Sequence, residues 1–488
     1  MNSNTVRDPR RWWVLVVLCL SLLVLTVDGT VLNLAIPSLI EELGATPSDI
    51  QWILDAYVLV FAGLLLTAGS LSDRYGRRRF LVIGLVLFGG ASLLAVLATE
   101  PWQVIGARAL MGVGGSVLMP STLSILMTVF DEEERRKAMA IWGSVAMLGV
   151  VVGPTLGGFL LEHYWWGSVF LLNIPIAVLA VIAAYALMPE TRGGGRKIDP
   201  VGVVLSIIGL TSAVYVIIER EWNPFIIALA VVALAAFVIW ERRSDHPMLP
   251  LQLFANRNFS GASFSILLMS FGAGAVMLML TQYLQFVLGY GELQAGVAIL
   301  PQAAAAVVFN GIGAGLGKKV SNRVLVGGGL LVMAGGFVVM ATTTGYLPLM
   351  FALVLMGAGG GLAGPSAYAS LMGAIPMEHA GVGSALNDTV QQVGLALSIA
   401  VLGSVLAGVF TSSMPADAPA GAQESIGTAF ALGIVEPAKA AFTTAVHVGS
   451  WVGAGFSVAA ALLALAVLRP VPAVAVPEPE GSPENTSV

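Results

Sequence analysis

Runs of about 20 apolar residues, separated by short polar turns, recur along the chain from residue 12 to about residue 468. A run of that length crosses the hydrocarbon of a bilayer as a helix, because each residue advances about 1.5 Å and every backbone group is bonded within the segment. Fourteen spans are expected, beginning near residues 12, 51, 80, 103, 138, 167, 200, 223, 260, 295, 324, 347, 382 and 445. An even number puts both chain ends on one side. The polar positions test this. Twenty of the 23 Lys and Arg fall before the first span, after the last, or in turns that follow an even-numbered span; Arg108, Arg220 and Lys439 do not. Basic turns are retained at the cytoplasmic face, so both termini are predicted to be cytoplasmic. Arg7, Arg10 and Arg11 before an apolar run also open a signal peptide, but this run extends too far and lacks a small-residue cleavage site. An uncleaved first helix is expected.

The densest polar turn is Gly69-Ser70-Leu71-Ser72-Asp73-Arg74-Tyr75-Gly76-Arg77-Arg78-Arg79, a tight reversal between the second and third spans. Gly69 and Gly76 permit close helix approach and a sharp turn, and Asp73 can pair with a neighbouring arginine or cap a helix. The stretch from Ala314 to Arg323 echoes it after span 10, without the aspartate or the second glycine. This predicts two six-helix halves, residues 12–188 and 259–468, with an inserted helix pair at 199–241 and a disordered cytoplasmic tail at 469–488. Parallel six-helix repeats place a substrate site near the midplane between rocking halves. The alternative is that any two basic turns look alike.

Composition narrows the class. With 488 residues, 10% of them charged, and a mean hydropathy of +0.88, the chain is an all-α integral membrane protein and not a soluble domain. The single cysteine, Cys19, excludes a disulfide framework, and the four histidines lack ligand spacing, so no metal site is expected. There is no Walker-type nucleotide loop, no nucleophile or acid/base cluster that would mark a membrane enzyme, and nothing that marks a nucleic-acid partner.

Ionisable residues inside spans are costly and therefore functional candidates. Asp28 lies in span 1, followed by Asn33 and Pro37, in its outer half with a bend near its outer end. It is either a coupling carboxylate or a structural partner of Arg108 in span 4. Asp55, close to the outer end of span 2, is either a second coupling group or a partner of its helix dipole. Arg108 keeps its proton and so acts as a fixed charge beside any carboxylate that exchanges one. In span 5, Gly149, Gly153 and Gly157 share a face, Pro154 frees a carbonyl and kinks the helix, and Gly158 follows. In span 13, Ser384, Asp388, Gln391 and Ser398 form a polar stripe interrupted by Leu395, facing a water-filled cavity or a hydrogen-bonded seam. Met and Phe in the spans are read as ordinary packing.

The 69–79 turn resembles the loop between helices 2 and 3 of the major facilitator superfamily. With the 28–37 motif, Trp52 to Tyr57, Arg108, the Gly-Pro run and Trp165 to Pro175, the chain is similar to fourteen-helix drug:proton antiporters of the EmrB/QacA type. The resemblance implies export of small amphipathic compounds, lipophilic cations or neutral molecules, by alternating access in a bacterial inner membrane. The power source would be the proton gradient, with no cofactor, and the chain would work as a monomer in the lipid bilayer. Asp28, Arg108 and Asp55 would couple protons, and Asp388, Asn33 and Gln391 would meet substrate. Gly69, Asp73, Arg74, Gly76, Arg77, Gly153, Pro154, Gly157 and Gly158 would gate the movement. Two departures stand out. Met111 replaces the glutamine usual in the helix 4 motif, and Ala306 stands where pumps for quaternary ammonium compounds often carry an acid, against divalent cations. A dedicated metabolite exporter, an importer of the same fold, a lipid enzyme and a transport-dead sensor are the rival expectations.

Overall fold

The computed structural model describes residues 10–192, 199–219, 222–244, 247, 251–317, 319–375 and 380–468. The expected 469–488 tail lies outside the described residues. Fourteen long helices account for the architecture among them: α1 (Arg11–Leu43), α2 (Pro47–Tyr75), α3 (Arg77–Val96), α4 (Pro101–Val129), α5 (Glu132–His163), α6 (Ser168–Leu187), α7 (Pro200–Glu219), α8 (Pro224–Arg243), α9 (Arg257–Val287), α10 (Glu292–Leu316), α11 (Asn322–Thr342), α12 (Tyr346–Met372), α13 (Ala380–Ser413) and α14 (Val435–Val467). Thirteen are long and apolar enough to cross a membrane, and the other, α5, is a 32-residue helix.

Local chemistry sets the starts. Thr46 and Asp49 close a reciprocal capping box ahead of Pro47 in the first turn of α2, while Asp131, Asn223 and Asn256 cap α5, α8 and α9 with side-chain oxygens. Two expectations shift. α1 runs on well past Pro37: a 3-10 turn at Leu32–Ala35 carries it to Leu43, where Gly44 ends it at φ 64°. Over 33 residues, roughly 50 Å, Asp28 therefore sits near the midpoint of α1 and not toward its far end. The last span is also longer than expected: α14 starts at Val435 rather than near 445, after a short helix, Ile426–Ala431. Pro437 is tolerated there because first-turn N–H groups lack intrahelical acceptors.

Packing repeats along the chain. Helix α1 lies on α5 and α6, α2 on α4, and α3 on α4 and α6; α9 lies on α13 and α14, α10 on α12, and α11 on α12 and α14. Between these groups α5 packs on α10 and α2 on α13. Helix α7 touches both α2 and α13, with α8 behind it. The close contacts joining the groups gather at the end of the bundle that carries Gly44. A Cβ on Gly158 would meet the Glu292 carbonyl at 2.5 Å, and Gly296 lies directly against the Pro154 carbonyl. A Cβ on Gly403 would meet the Gln51 side chain at 2.7 Å, and Gln285 donates to the Leu34 carbonyl at 3.2 Å. The short helix at 426–431 covers this end, Gly427 lying against Ile40.

Candidate functional site

Asp28, Arg108 and a third residue are held together inside the first group. Arg108 Nη1 donates to Asp28 Oδ2 at 2.6 Å, and Arg108 Nε donates to the Ile53 carbonyl at 3.1 Å. Asn173 Nδ2 donates to the other carboxylate oxygen, Asp28 Oδ1, at 2.8 Å, and lies 3.3 Å from Ser92 Oγ. The Tyr57 ring stacks under the guanidinium at 4.3 Å. Asp28 is 3% exposed and Arg108 2%, so solvent does not screen the pair. A charged pair at such depth holds only when further hydrogen bonds complete it, and here Ile53 and Asn173 supply them. Five helices meet in this network, α1 through α4 and α6. Asn173 belongs to the 165–175 motif, and an amide inside an apolar run just before Pro175 is the signal in the sequence that marks it.

Arg108 also borders a cavity of about 410 Å3 between the two groups. Gly29 and Asn33 of α1 and Leu54, Tyr57 and Val58 of α2 line one side; α9 to α13 line the other. A smaller recess near Asn310, Tyr368 and Asn387 prolongs it toward the end of the bundle that carries Gly76. Asn33 and Gln391 both line the cavity, and Asn33 Nδ2 donates back to the Gly29 carbonyl at 3.2 Å. Methionines are the correction here. Met269, Met277, Met333 and Met356 form the wall opposite Arg108, where apolar side chains had been expected only to pack.

The remaining candidates are scattered. Asp55 is fully buried and does not line the cavity, and neither carboxylate oxygen has a hydrogen-bond partner among the described residues. It is thus no surface partner of the helix dipole. It lies one turn beyond Gln51, which faces α13, and Trp52, whose Nε1 donates to Glu219 of α7 at 2.8 Å. Asp388 is not among the cavity-lining residues; it accepts from Asn387 Nδ2 at 3.0 Å. The α13 stripe divides: Gln391, Leu395 and Ile399 face the cavity, and Ser398 packs on Gly274 of α9. The side chain of Ser384 lies outside the described residues.

The 69–79 turn is docked at the opposite end from Gly44. Asp73 Oδ1 accepts from Arg77 Nε at 2.7 Å, and Arg77 also reaches the Ser124 carbonyl at 3.2 Å and the Thr128 hydroxyl on α4. Arg74 lies over the Tyr75 ring at 5.4 Å. Gly76 has φ 125°, and a Cβ there would meet the Glu190 carboxylate at 2.7 Å. Glu190, which sequence reasoning missed, accepts from the Arg78 backbone N–H at 3.1 Å and sits 3.7 Å from Arg79 Nε. Gly69 faces Pro120 of α4. In the Gly-Pro run, Gly149, Gly153 and Gly157 face Thr26, Thr30 and Val31 of α1, while Pro154 and Gly158 face α10. One short run therefore serves two crossings.

Comparison with known proteins agrees with this architecture. The chain is 36% identical over 453 residues to the puromycin resistance protein pur8 of Streptomyces alboniger, covering 88% of this chain and 90% of that one. It is 34% identical over 460 residues to the multidrug efflux pump LfrA of Mycolicibacterium smegmatis, covering 90% and 91%. The methyl viologen resistance protein SmvA of Salmonella typhimurium is 32% identical over 430 residues, covering 85% and 86%. In fold the chain is similar to a bacterial homolog of the human lysosomal transporter Spinster in an inward-facing, unoccupied conformation. That match has a TM-score of 0.72 at 15% identity and covers 94% of this chain and 97% of that one. The family model of the Major Facilitator Superfamily matches residues 18–399, and with the repeated helix pairings and the central cavity this chain belongs to that superfamily.

Proposed function

We propose that this protein exports small amphipathic compounds in exchange for protons, by alternating access across a bacterial inner membrane. The observation that carries the proposal is the buried Asp28–Arg108 pair, 2.6 Å apart, with Arg108 on the wall of the central cavity. A proton on Asp28 dissolves that ion pair and releases the guanidinium toward the cavity. Loss of the proton restores it. Proton binding and ligand binding thereby act on the same side chain, which is what linkage between two ligands requires. The names of the relatives, resistance proteins and an efflux pump, support export over import.

In this proposal residues 12–188 and 259–468 rock as two halves, the 199–241 pair travels with the first, and both termini are cytoplasmic. The Gly44 end then faces outward and is shut here, and the Gly76 end faces the cytoplasm. Asn33 and Gln391 contact substrate, and Asp55, fully buried one turn beyond the α2–α13 contact at Gln51, is a second proton site, since that contact must part when the outer end opens. The 69–79 turn and the Gly-Pro run gate the movement. One chain contains the whole cavity, so a monomer suffices.

The test uses purified protein in proteoliposomes with a pH-sensitive dye across an imposed gradient. Asp28→Asn removes the titratable group at nearly constant volume. It should keep ligand binding within about threefold and lose ligand-induced proton movement and uphill efflux. Uphill efflux with normal proton flux in that variant moves coupling away from Asp28.

A further inference from the structure

The cavity and the recess beyond it are two compartments of one elongated space. Five residues line both and form the neck between them: Met269 of α9, Ala306 of α10, Gly360 and Gly361 of α12, and Gln391 of α13. The compartments differ in chemistry. In the cavity the neck leads to Met277, Met333, Met356 and Phe337. Thioethers are polarisable, adapt their shape, and make favourable contacts with aromatic rings. The recess, about 290 Å3, is lined by Asn310, Tyr368 and Asn387, with no ionised side chain among the described residues around it. Amides and hydroxyls both give and take hydrogen bonds, and the volume is many times what one water needs.

Gly360 keeps the two compartments continuous. It lies inside α12 without a positive φ, in a place where glycine is less stable than alanine. Its neighbours are small because helices cross there. A Cβ on Gly357 would run into the Gln302 backbone, one on Gly359 into the Gly329 carbonyl, and one on Gly361 would meet the Ala306 carbonyl at 2.6 Å. A Cβ on Gly360 would meet nothing within 4 Å. Neither helix packing nor backbone geometry requires glycine at this position, and a larger side chain on it would fill the neck. Gly364, one turn further on, is open in the same way and lines the recess.

From the two compartments and their neck we infer that the site takes an elongated compound, an aromatic body among the methionines and an uncharged polar end in the recess, and that Gly360 sets the length it accepts. This rests on the export reading for its meaning in transport, but binding alone tests it. Wild-type protein in nanodiscs, with empty nanodiscs as the blank, is titrated with three fluorescent probes. The first is N-phenyl-1-naphthylamine. The other two carry a five-carbon chain on its phenyl ring, ending in a primary carboxamide in one and in an isopropyl group of the same shape in the other. The carboxamide probe should bind at least fivefold tighter than the parent and at least threefold tighter than the isopropyl probe. In Gly360→Leu its advantage over the parent should fall below twofold.

A smaller advantage over either probe in the wild type overturns the inference. So does an advantage over the parent that stays at twofold or more in Gly360→Leu. If that variant does not purify as a monodisperse species, Gly364→Leu, which fills the recess itself, is held to the same limit. Failure of the export reading looks different: the carboxamide probe binds with the expected dependence on Gly360, yet is not moved uphill by a proton gradient. Proton-driven export of parent and carboxamide probes that bind equally well sinks this inference and leaves export standing.

Discussion

Asn173 shows how one uncharged side chain sets the state of a charged one. Its amide occupies the Asp28 oxygen that Arg108 does not reach, so the carboxylate is fixed in orientation as well as in charge. Asn173→Leu leaves that oxygen buried without a donor, a loss on the order of 1–3 kcal/mol. The expected outcome is fewer protons moved per ligand, with probe binding changed less than about threefold. A dye-based proton count beside a binding titration separates this from misfolding, which would lower both together. Arg108→Ala is harsher, since it strands a buried carboxylate; removing one partner of a buried ion pair costs roughly 3–5 kcal/mol. Its melting temperature should fall below that of Asn173→Leu, and equal melting would mean that water already reaches Asp28.

Helix crossings carry the predictions at the next scale. Where α5 meets α10, the Pro154 carbonyl lies on Gly296 and Gly158 lies on the start of α10, leaving no space for a side chain. Gly296→Leu must hold the two helices apart. In a Cys19→Ser background, a Gln51→Cys probe at the buried α2–α13 contact should resist maleimide, and adding Gly296→Leu should expose it and abolish efflux. Slow labelling with full efflux in that double variant would mean the crossing is not what shuts this end. At the opposite end, Asp73 holds Arg77 against α4. Asp73→Asn should slow turnover severalfold and leave probe affinity within about twofold, because the turn is remote from the cavity. A matching loss of affinity would assign the turn a part in binding.

Across the whole molecule, the inserted pair is tied into the seam between the two groups. Glu219 at the end of α7 accepts from Ser48 Oγ at 2.7 Å and Trp52 Nε1 at 2.8 Å, both on α2, while Ser404 of α13 donates to the Ile217 carbonyl at 2.7 Å. Two bonds to a carboxylate on one side and one neutral bond on the other make α7 a companion of α2. Glu219→Gln should therefore destabilise the protein by about 1–2 kcal/mol, read as a lower melting temperature. Ser404→Ala should barely move it. The reverse order would attach the pair to the other group.

Span number, span order and the superfamily were legible in the chain itself. A helix in hydrocarbon must satisfy its own backbone, so apolar length alone marks it, and the charged turns mark its ends. The pairing of Asp28 with Arg108 was legible as one of two alternatives, because two opposite charges in apolar spans can hardly stay apart. What lay beyond the sequence is which side of a helix meets what. Asn173 on Asp28, Glu190 under the 69–79 turn and Gln302 beside the methionine wall all join residues far apart in the chain. Asp388 and Gln391, three residues apart, share a polar stripe, yet only the second lines the cavity. Neighbouring positions on a helix differ by about 100° in direction, and only the packing of the other helices decides which direction holds water, lipid or protein.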